Sequence, residues 1–269
     1  MKVAIVNNHK EKTLSVVKKL KLLLKETDIQ LNQLQPDIVI TVGGDGTLLN
    51  AFHQYYQIVD RISFVGIHTG HLGFYTDWRD YQLEELVDAL VHSTPESVSY
   101  PLLELDVTDD EGKKSYLALN EATIKRMSQT LKADIHIKNE FFESFRGDGV
   151  CVATPTGSTA YSKSLGGAVL HPRLKALQLT EIASINNRIY RTLSSPIVIA
   201  PDEWITIYPE SQDDYVVTLD SHELRHRRVS RLDYRIAKSQ INFAKFRHTH
   251  FWSRVEDAFI AQKNNNEQF

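Results

Sequence analysis

Along the first hundred positions the apolar residues alternate between two textures. Short runs rich in β-branched residues, at 2–6, 37–42 and 62–67, predict buried strands. Between and after them, leucines and valines at helical spacing predict helices over 13–26, 48–58 and 81–92. Strands alternating with helices imply a parallel sheet covered on both faces. Ligands of such sheets bind beyond the carboxyl ends of the strands.

Near 94–101 the texture changes. Period-two patterns follow, such as Leu103-Glu104-Leu105-Asp106-Val107 and Ala133-Asp134-Ile135-His136-Ile137, and 109–112 reads as a hairpin loop. Runs at 197–200, 204–208 and 215–219 continue the strand signal. One helix is expected in this half, over 173–184, introduced by Pro172. A short amphipathic helix is expected over 251–261, with a frayed tail at 263–269. The second half is therefore mostly β, with turns at sandwich-like intervals.

The length of 269 residues suits one large domain or two modest ones, and 42% apolar with 24% charged residues describes a globular chain. A net charge of −3 argues against a general nucleic-acid binder. Cys151 is the single cysteine, so no internal disulfide can form, and its apolar surroundings predict a buried, inert thiol. The short apolar run before Asn7 is no signal peptide, and no window approaches the roughly 18 apolar residues of a membrane span. The expectation is a soluble cytoplasmic protein without membrane contact. The 11 histidines show no metal-ligand spacing. Arg225-His226-Arg227-Arg228 reads as a solvated charged face or an inter-subunit contact.

Chemistry concentrates in Val42-Gly43-Gly44-Asp45-Gly46-Thr47-Leu48-Leu49, which sets a carboxylate in a triple-glycine turn between strand and helix. Glycines let a ligand approach the backbone, and the helix start offers unpaired N–H groups to an anion. An aspartate there repels a phosphate unless it serves as a base or holds a metal. The plainer reading is a tight turn. A second stretch rich in glycine and hydroxyls, Thr154-Pro155-Thr156-Gly157-Ser158-Thr159-Ala160-Tyr161, favours a ligand. The common nucleotide motifs are absent. Ser162 stands where a P-loop needs its second glycine, and Leu49 where a dinucleotide fingerprint needs its third.

Gly43-Gly44-Asp45-Gly46-Thr47, Leu119-Asn120-Glu121-Ala122, Arg146-Gly147-Asp148-Gly149 and Thr156-Gly157-Ser158-Thr159-Ala160-Tyr161 resemble, in order and distance, the motifs of bacterial NAD kinases. His68-Thr69-Gly70-His71-Leu72-Gly73-Phe74-Tyr75 is similar to that family's segment after the third strand, and the resemblance covers essentially the whole chain. The first motif alone also occurs in diacylglycerol-type lipid kinases and phosphofructokinases. The resemblance implies an N-terminal α/β nucleotide-fold domain, residues 1–99 with about 237–269, and a β-rich, sandwich-like NAD-binding domain, residues 100–236. It implies transfer of phosphate from ATP, or from polyphosphate in some relatives, to the 2′-hydroxyl of the adenosine ribose of NAD.

Asp45 then resembles the catalytic base, and Gly43, Gly44, Gly46 and Thr47 the donor-phosphate cradle. Asn120 and Glu121 look like the pair that holds the diphosphate–ribose region of NAD. Ser158, Thr159, Ala160, Tyr161 and Ser164 look like the adenine side, with Phe74 and Tyr75 as an aromatic edge beside it. Arg146, Asp148 and Ala183 resemble residues meeting the nicotinamide half. No protein metal site is implied, but a divalent cation, Mg²⁺, is expected with ATP because the glycine turn contains no lysine or arginine. The resemblance also implies a homo-oligomer, a tetramer or a dimer, whose site is shared between subunits. Where many relatives have Asp-Gly-Gln, this chain has Asp220-Ser221-His222, so His222 reads equally as a ligand contact or a surface-turn residue. A lipid kinase and an NAD-binding regulator without turnover remain the alternatives.

Overall fold

The computed structural model describes residues 1–70, 73–210, 215–226, 228–247 and 250–261. The chain divides into two compact units, Met1–Ser99 with Asn242–Phe269, and Tyr100–Ile241.

In the first unit the strands Gln30–Leu31, Lys2–Asn7, Ile38–Val42 and Ser63–His68 lie side by side in that order, all parallel. Asn242 and Phe243, from the end of strand Arg231–Lys245, pair with Ser63 and Phe64, and the short strand Trp78–Arg79 pairs with Ile67 and His68. Val3, Ile5, Ile38, Ile40, Val42 and Val65 share one cluster with Val16, Val17, Leu20 and Leu24 of helix Glu11–Lys25. Leu83, Leu86, Val87 and Leu90 of helix Leu83–His92 complete it. The alternating residues Ala4, Val39 and Phe64 are fully buried as well, so the other face of the sheet is also covered. Burial on both faces explains why strand Ile38–Val42 reads as an unbroken apolar run. The helix expected at 48–58 starts earlier, at Asp45, because the Gly44 carbonyl accepts the Thr47 N–H at 2.9 Å. The expected C-terminal helix is Phe251–Phe259, and the tail at 263–269 lies outside the described residues.

The second unit is built from antiparallel strands in two layers. One layer holds Glu140–Gly147, Leu131–Ile137, Ile205–Pro209 and Arg231–Lys245, with the hairpin Glu96–Asp109 and Gly112–Ala118 joined to the last. The other runs Ile197–Ile199, Leu177–Ile182, Gly149–Ala153, Glu121–Lys125, Tyr215–Leu219, His222–His226. Leu105, Ile135, Ile207 and Leu232 from the first layer meet Ile124, Val152, Leu179 and Val217 from the second in one core. That is the expected β-rich, sandwich-like domain.

Two expectations are corrected here. Residues 173–184 form no helix; Leu177–Ile182 is a strand between Gly149–Ala153 and Ile197–Ile199. Its Leu177, Gln178, Leu179 and Thr180 are all buried, and a strand covered on both faces loses the alternation that would separate it from a helix. The run Arg225–Arg228 is not a uniformly solvated face. His226 is buried, with Nδ1 2.6 Å from Asp109 Oδ2 and Nε2 3.0 Å from the Tyr116 hydroxyl, while Arg227 lies outside the described residues. Cys151 is buried as expected, and burial pushes its thiol far above the ordinary range. Among the described residues no helix is long and apolar enough to cross a membrane.

Candidate functional site

The glycine turn sits at the carboxyl end of the parallel strand Ile38–Val42, where an open sheet leaves a crevice. Gly43 has φ +154°, and a Cβ there would lie 2.1 Å from Thr47 Oγ1. The turn therefore needs glycine at 43 for its own geometry. Gly44 and Gly46 differ. Both are exposed, and a Cβ on either would meet nothing within 4 Å. Among the described residues no atom would collide with a side chain at either position, whereas a ligand pressed against a helix N-terminus would.

Asp45 is the first residue of its helix, and its carboxylate is gripped from a distant loop. The Phe74 N–H donates to Oδ2 at 2.9 Å and the Tyr75 N–H to Oδ1 at 3.1 Å. A Cβ at Gly73 would fall 2.2 Å from Asp45 Oδ1, so the loop can close on the carboxylate only with glycine there. Phe74 and Tyr75 thus meet Asp45 through their backbone. The Tyr75 ring is 6% exposed and stacks on Phe243 with centroids 5.9 Å apart. The half-buried Phe74 ring packs against Phe251 and Phe259. His71 and Leu72 of this segment lie outside the described residues.

In the second unit, the strand start at Asn120-Glu121 and the turn at Thr154–Tyr161 are fastened together. The Thr154 hydroxyl donates to the Leu119 carbonyl at 2.6 Å and the Thr154 N–H to the Asn120 carbonyl at 2.8 Å. From the other side Asp220 accepts the N–H groups of Leu119, Asn120 and Glu121 at 3.0, 2.7 and 3.2 Å. Glu121 is 8% exposed, and its Oε2 has no hydrogen-bond partner. Burial first, then the Asp220 charge, pushes its carboxyl up to about 8. A buried carboxyl oxygen without a donor is the mark of a group awaiting one.

Ser158 is fully buried and its hydroxyl is spent inside the turn, donating to Pro155 O at 2.6 Å and accepting the Leu170 N–H at 2.8 Å. Thr159, Ala160 and Tyr161 are half-buried and Ser164 is exposed. Lys125 Nζ donates to the Tyr161 hydroxyl at 2.9 Å, fixing that ring. Arg146, Asp148 and Ala183 come together: the Asp148 N–H donates to Ile182 O at 2.9 Å and the Ile185 N–H to Arg146 O at 2.7 Å. Ala183 holds φ +48°, a left-handed conformation that costs a non-glycine residue about 1 kcal/mol or more. Arg146 lies 4.1 Å from the Tyr190 ring centre, and Asp148 is exposed. Asp148 is the link where the chain leaves strand Glu140–Gly147 for strand Gly149–Ala153 in the other layer. His222 is exposed at the start of its strand.

Two residues escaped the sequence reading. Asp220 organises the Asn120-Glu121 strand start, and the signal was an aspartate in a tight turn, where its φ of +51° is tolerated. Arg254 is buried and fastens the loop that grips Asp45. Its signal was a lone arginine three positions after Phe251 in an otherwise apolar helix stripe.

The strand–glycine turn–helix with a held carboxylate is the kind of element that phosphotransferases use, and the β-rich unit carries a buried carboxyl of its own. The family model for the ATP-NAD kinase N-terminal domain matches residues 4–94, and that for the C-terminal domain matches residues 119–246. The NAD kinase of Lactobacillus gasseri is 64% identical over 266 residues, covering 98% of this chain and 100% of that one. The NAD kinase of Enterococcus faecalis is 56% identical over 264 residues, again over 97% and 100% of the two chains. In fold the chain resembles yeast NADH kinase complexed with NADH, with TM-score 0.83 at 20% identity over 100% and 89% of the chains. It also resembles an NAD kinase from Archaeoglobus fulgidus in complex with ATP, with TM-score 0.76 at 22% identity over 96% and 99%. The chain belongs to the ATP-NAD kinase family, and its activity is that of an NAD kinase.

The two kinds of glycine separate by experiment. Gly43→Ala should lower the melting temperature by several degrees, because its Cβ collides with Thr47 in a backbone conformation alanine resists. Gly44→Ala should melt like the parent yet raise KM for ATP; an unchanged KM would remove Gly44 from the phosphate cradle.

The Glu121 carboxyl gives a pH signature. Unfolded, it ionises near 4.3; folded, it holds its proton up to about 8. The folded state binds more protons in between, so stability falls as pH rises through that window. Glu121→Gln removes the penalty. Its gain in melting temperature over the parent should be small at about pH 5, grow to about pH 8 and then level off. A gain independent of pH, read by thermal melts across that range, would contradict the raised carboxyl.

Proposed function

We propose that Asp45 is the base that takes the proton from the 2′-hydroxyl of the adenosine ribose of NAD as phosphate passes from ATP, giving NADP and ADP. The observation that carries this reading is the grip on its carboxylate beside two glycines whose outward faces are open. A sugar hydroxyl is a weak nucleophile at neutral pH, so a positioned carboxylate contributes directly to the barrier. Each Asp45 oxygen accepts one amide proton here and keeps a second lone-pair direction for the hydroxyl. Two backbone donors also hold the carboxylate still, which phosphoryl transfer rewards because it depends mainly on positioning.

The amides of Gly44 and Gly46, at the positive end of helix Asp45–Tyr55, cradle the donor phosphates, with Gly43 and Thr47 shaping the turn. Such a cradle reads phosphate rather than adenine, so polyphosphate is a candidate donor beside ATP. Among the described residues no three His, Cys, Asp or Glu side chains converge to hold a metal ion. Mg²⁺ would be held chiefly by the nucleotide, with Asp45 as the one carboxylate of the turn. Bound there, Mg²⁺ supplies neutralisation of the phosphate charge.

On the acceptor side, Asn120 and Glu121 hold the diphosphate–ribose region. A hydroxyl of NAD gives Glu121 Oε2 the donor it lacks. Thr159, Ala160, Tyr161 and Ser164, with Phe74, border the adenine. Arg146, Asp148 and Ala183 meet the nicotinamide half, the strained backbone at Ala183 being typical of a ligand clamp. On this reading the β-rich unit binds NAD, while the turn of the α/β unit handles the donor. The working form is a cytoplasmic homo-oligomer, a tetramer or dimer, in which Asp148 and Ala183 reach a neighbour's ligand.

Asp45→Asn should fold and bind NAD as the parent does, while turnover falls by roughly 10²–10⁴. NADP formation together with titration calorimetry checks both halves, and near-parental turnover would end the assignment. Sharing between subunits is tested by complementation. Asp45→Asn and Asp148→Ala proteins, each nearly inactive, are unfolded together and refolded as a mixture. Recovered activity is expected, since some interfaces then pair an intact Asp45 with an intact Asp148. Mixed oligomers with no recovery would assign each site to one chain.

A further inference from the structure

Arg254, in the C-terminal helix Phe251–Phe259, is 4% exposed, and its guanidinium is spent on one short loop. Nη1 donates to the carbonyls of Gly73 and Thr76, both at 2.8 Å, and Nη2 donates to the Asp77 carboxylate. The same loop offers the N–H groups of Phe74 and Tyr75 to the two oxygens of Asp45. Arg254 therefore holds the carbonyls on one side of this loop while the loop's amides hold the base on the other. The Phe74 ring adds a second tie to the same helix, with centroids 6.2 Å from Phe251 and 5.8 Å from Phe259. Within the loop the Gly73 N–H donates to Thr76 Oγ1 at 3.3 Å, and the absence of a side chain at Gly73 lets the turn close on Asp45.

We propose that Arg254 is a positioning residue for the phosphoryl transfer: through the 73–77 loop it sets the orientation of Asp45 without touching substrate. This rests on the reading of Asp45 as the base. A planar guanidinium binds two carbonyls and a carboxylate in one fixed fork, and it stays charged at every working pH. Lysine carries the same charge but cannot satisfy three acceptors in that geometry. Loosening the loop withdraws the two amide donors that fix the Asp45 carboxylate and leaves it free to turn away from the reacting hydroxyl. Turnover then falls, while the cradle and the NAD contacts keep their affinity.

The test compares the full-length parent with Arg254→Lys and Arg254→Gln, the lysine variant keeping a positive charge opposite Asp77. Folded fraction is fixed by thermal melts, and kcat and KM are measured for NAD and ATP. For Arg254→Lys we expect kcat per folded molecule down about 10-fold with both KM values within about 2-fold, and Arg254→Gln further along the same course. Hydrogen exchange of peptides covering 73–77 should quicken, while that of strand Ile38–Val42 stays at the parental rate. A loss of kcat that follows only the folded fraction would make Arg254 merely structural and overturn the proposal. So would unchanged exchange at 73–77. Asp45→Asn run in parallel separates the two ideas. If it keeps its turnover the base reading fails, whereas the exchange result still reports whether Arg254 holds the loop.

Discussion

Backbone N–H groups that begin a helix or leave a turn have no partner inside regular structure, and burial makes an orphaned one costly. In this protein two aspartates meet that demand, one in each unit. Asp45 accepts the amides of Phe74 and Tyr75, and Asp220 accepts those of Leu119, Asn120 and Glu121. Each bond joins segments far apart in the chain, so loop positions that would otherwise wander are set by one carboxylate apiece. Asn120 and Glu121, and the loop residue Phe74, lie in the segments so held. Precision at the site is thus an outcome of hydrogen-bond satisfaction rather than of core packing alone.

Much of the fold could be read from the residues. The parallel half announces itself in short β-branched runs separated by helical spacing, because strands Ile38–Val42 and Ser63–His68 are buried on two faces. The antiparallel half does so through period two, as in Leu103–Val107. Residues 173–184 misled because Leu177–Ile182 is packed on both sides, which leaves neither period standing. The site was legible where chemistry is local, in the glycine turn and the hydroxyl-rich turn. It was not legible where a side chain answers a remote backbone. Nothing near Arg254 in the chain reveals the Gly73 and Thr76 carbonyls, and nothing near Ser158 reveals the Leu170 N–H that absorbs its hydroxyl. The Tyr75 ring illustrates the same limit, since an aromatic beside a candidate site serves the core as readily as a ligand.

Family membership also separates the alternatives left open by the glycine turn. A lipid kinase shares that turn, but the matched models extend through the β-rich unit, where the other motifs lie. A regulator that only binds NAD gains nothing from a carboxylate among phosphates. Asp45 is held in one orientation by two donors, which is an arrangement suited to receiving a proton.

The strand Arg231–Lys245 begins in one unit and ends by pairing with Ser63–His68 in the other. During synthesis the first unit therefore waits. When residue 99 leaves the ribosome, Ser63 and Phe64 present an open parallel edge, and Asn242 and Phe243 are made only after the whole β-rich unit. An unpaired edge is a template for wrong partners, and parallel pairing across so long a separation is slow. The nascent chain is most exposed to aggregation in that interval, and the late strand that ends it also leads directly into the helix carrying Arg254.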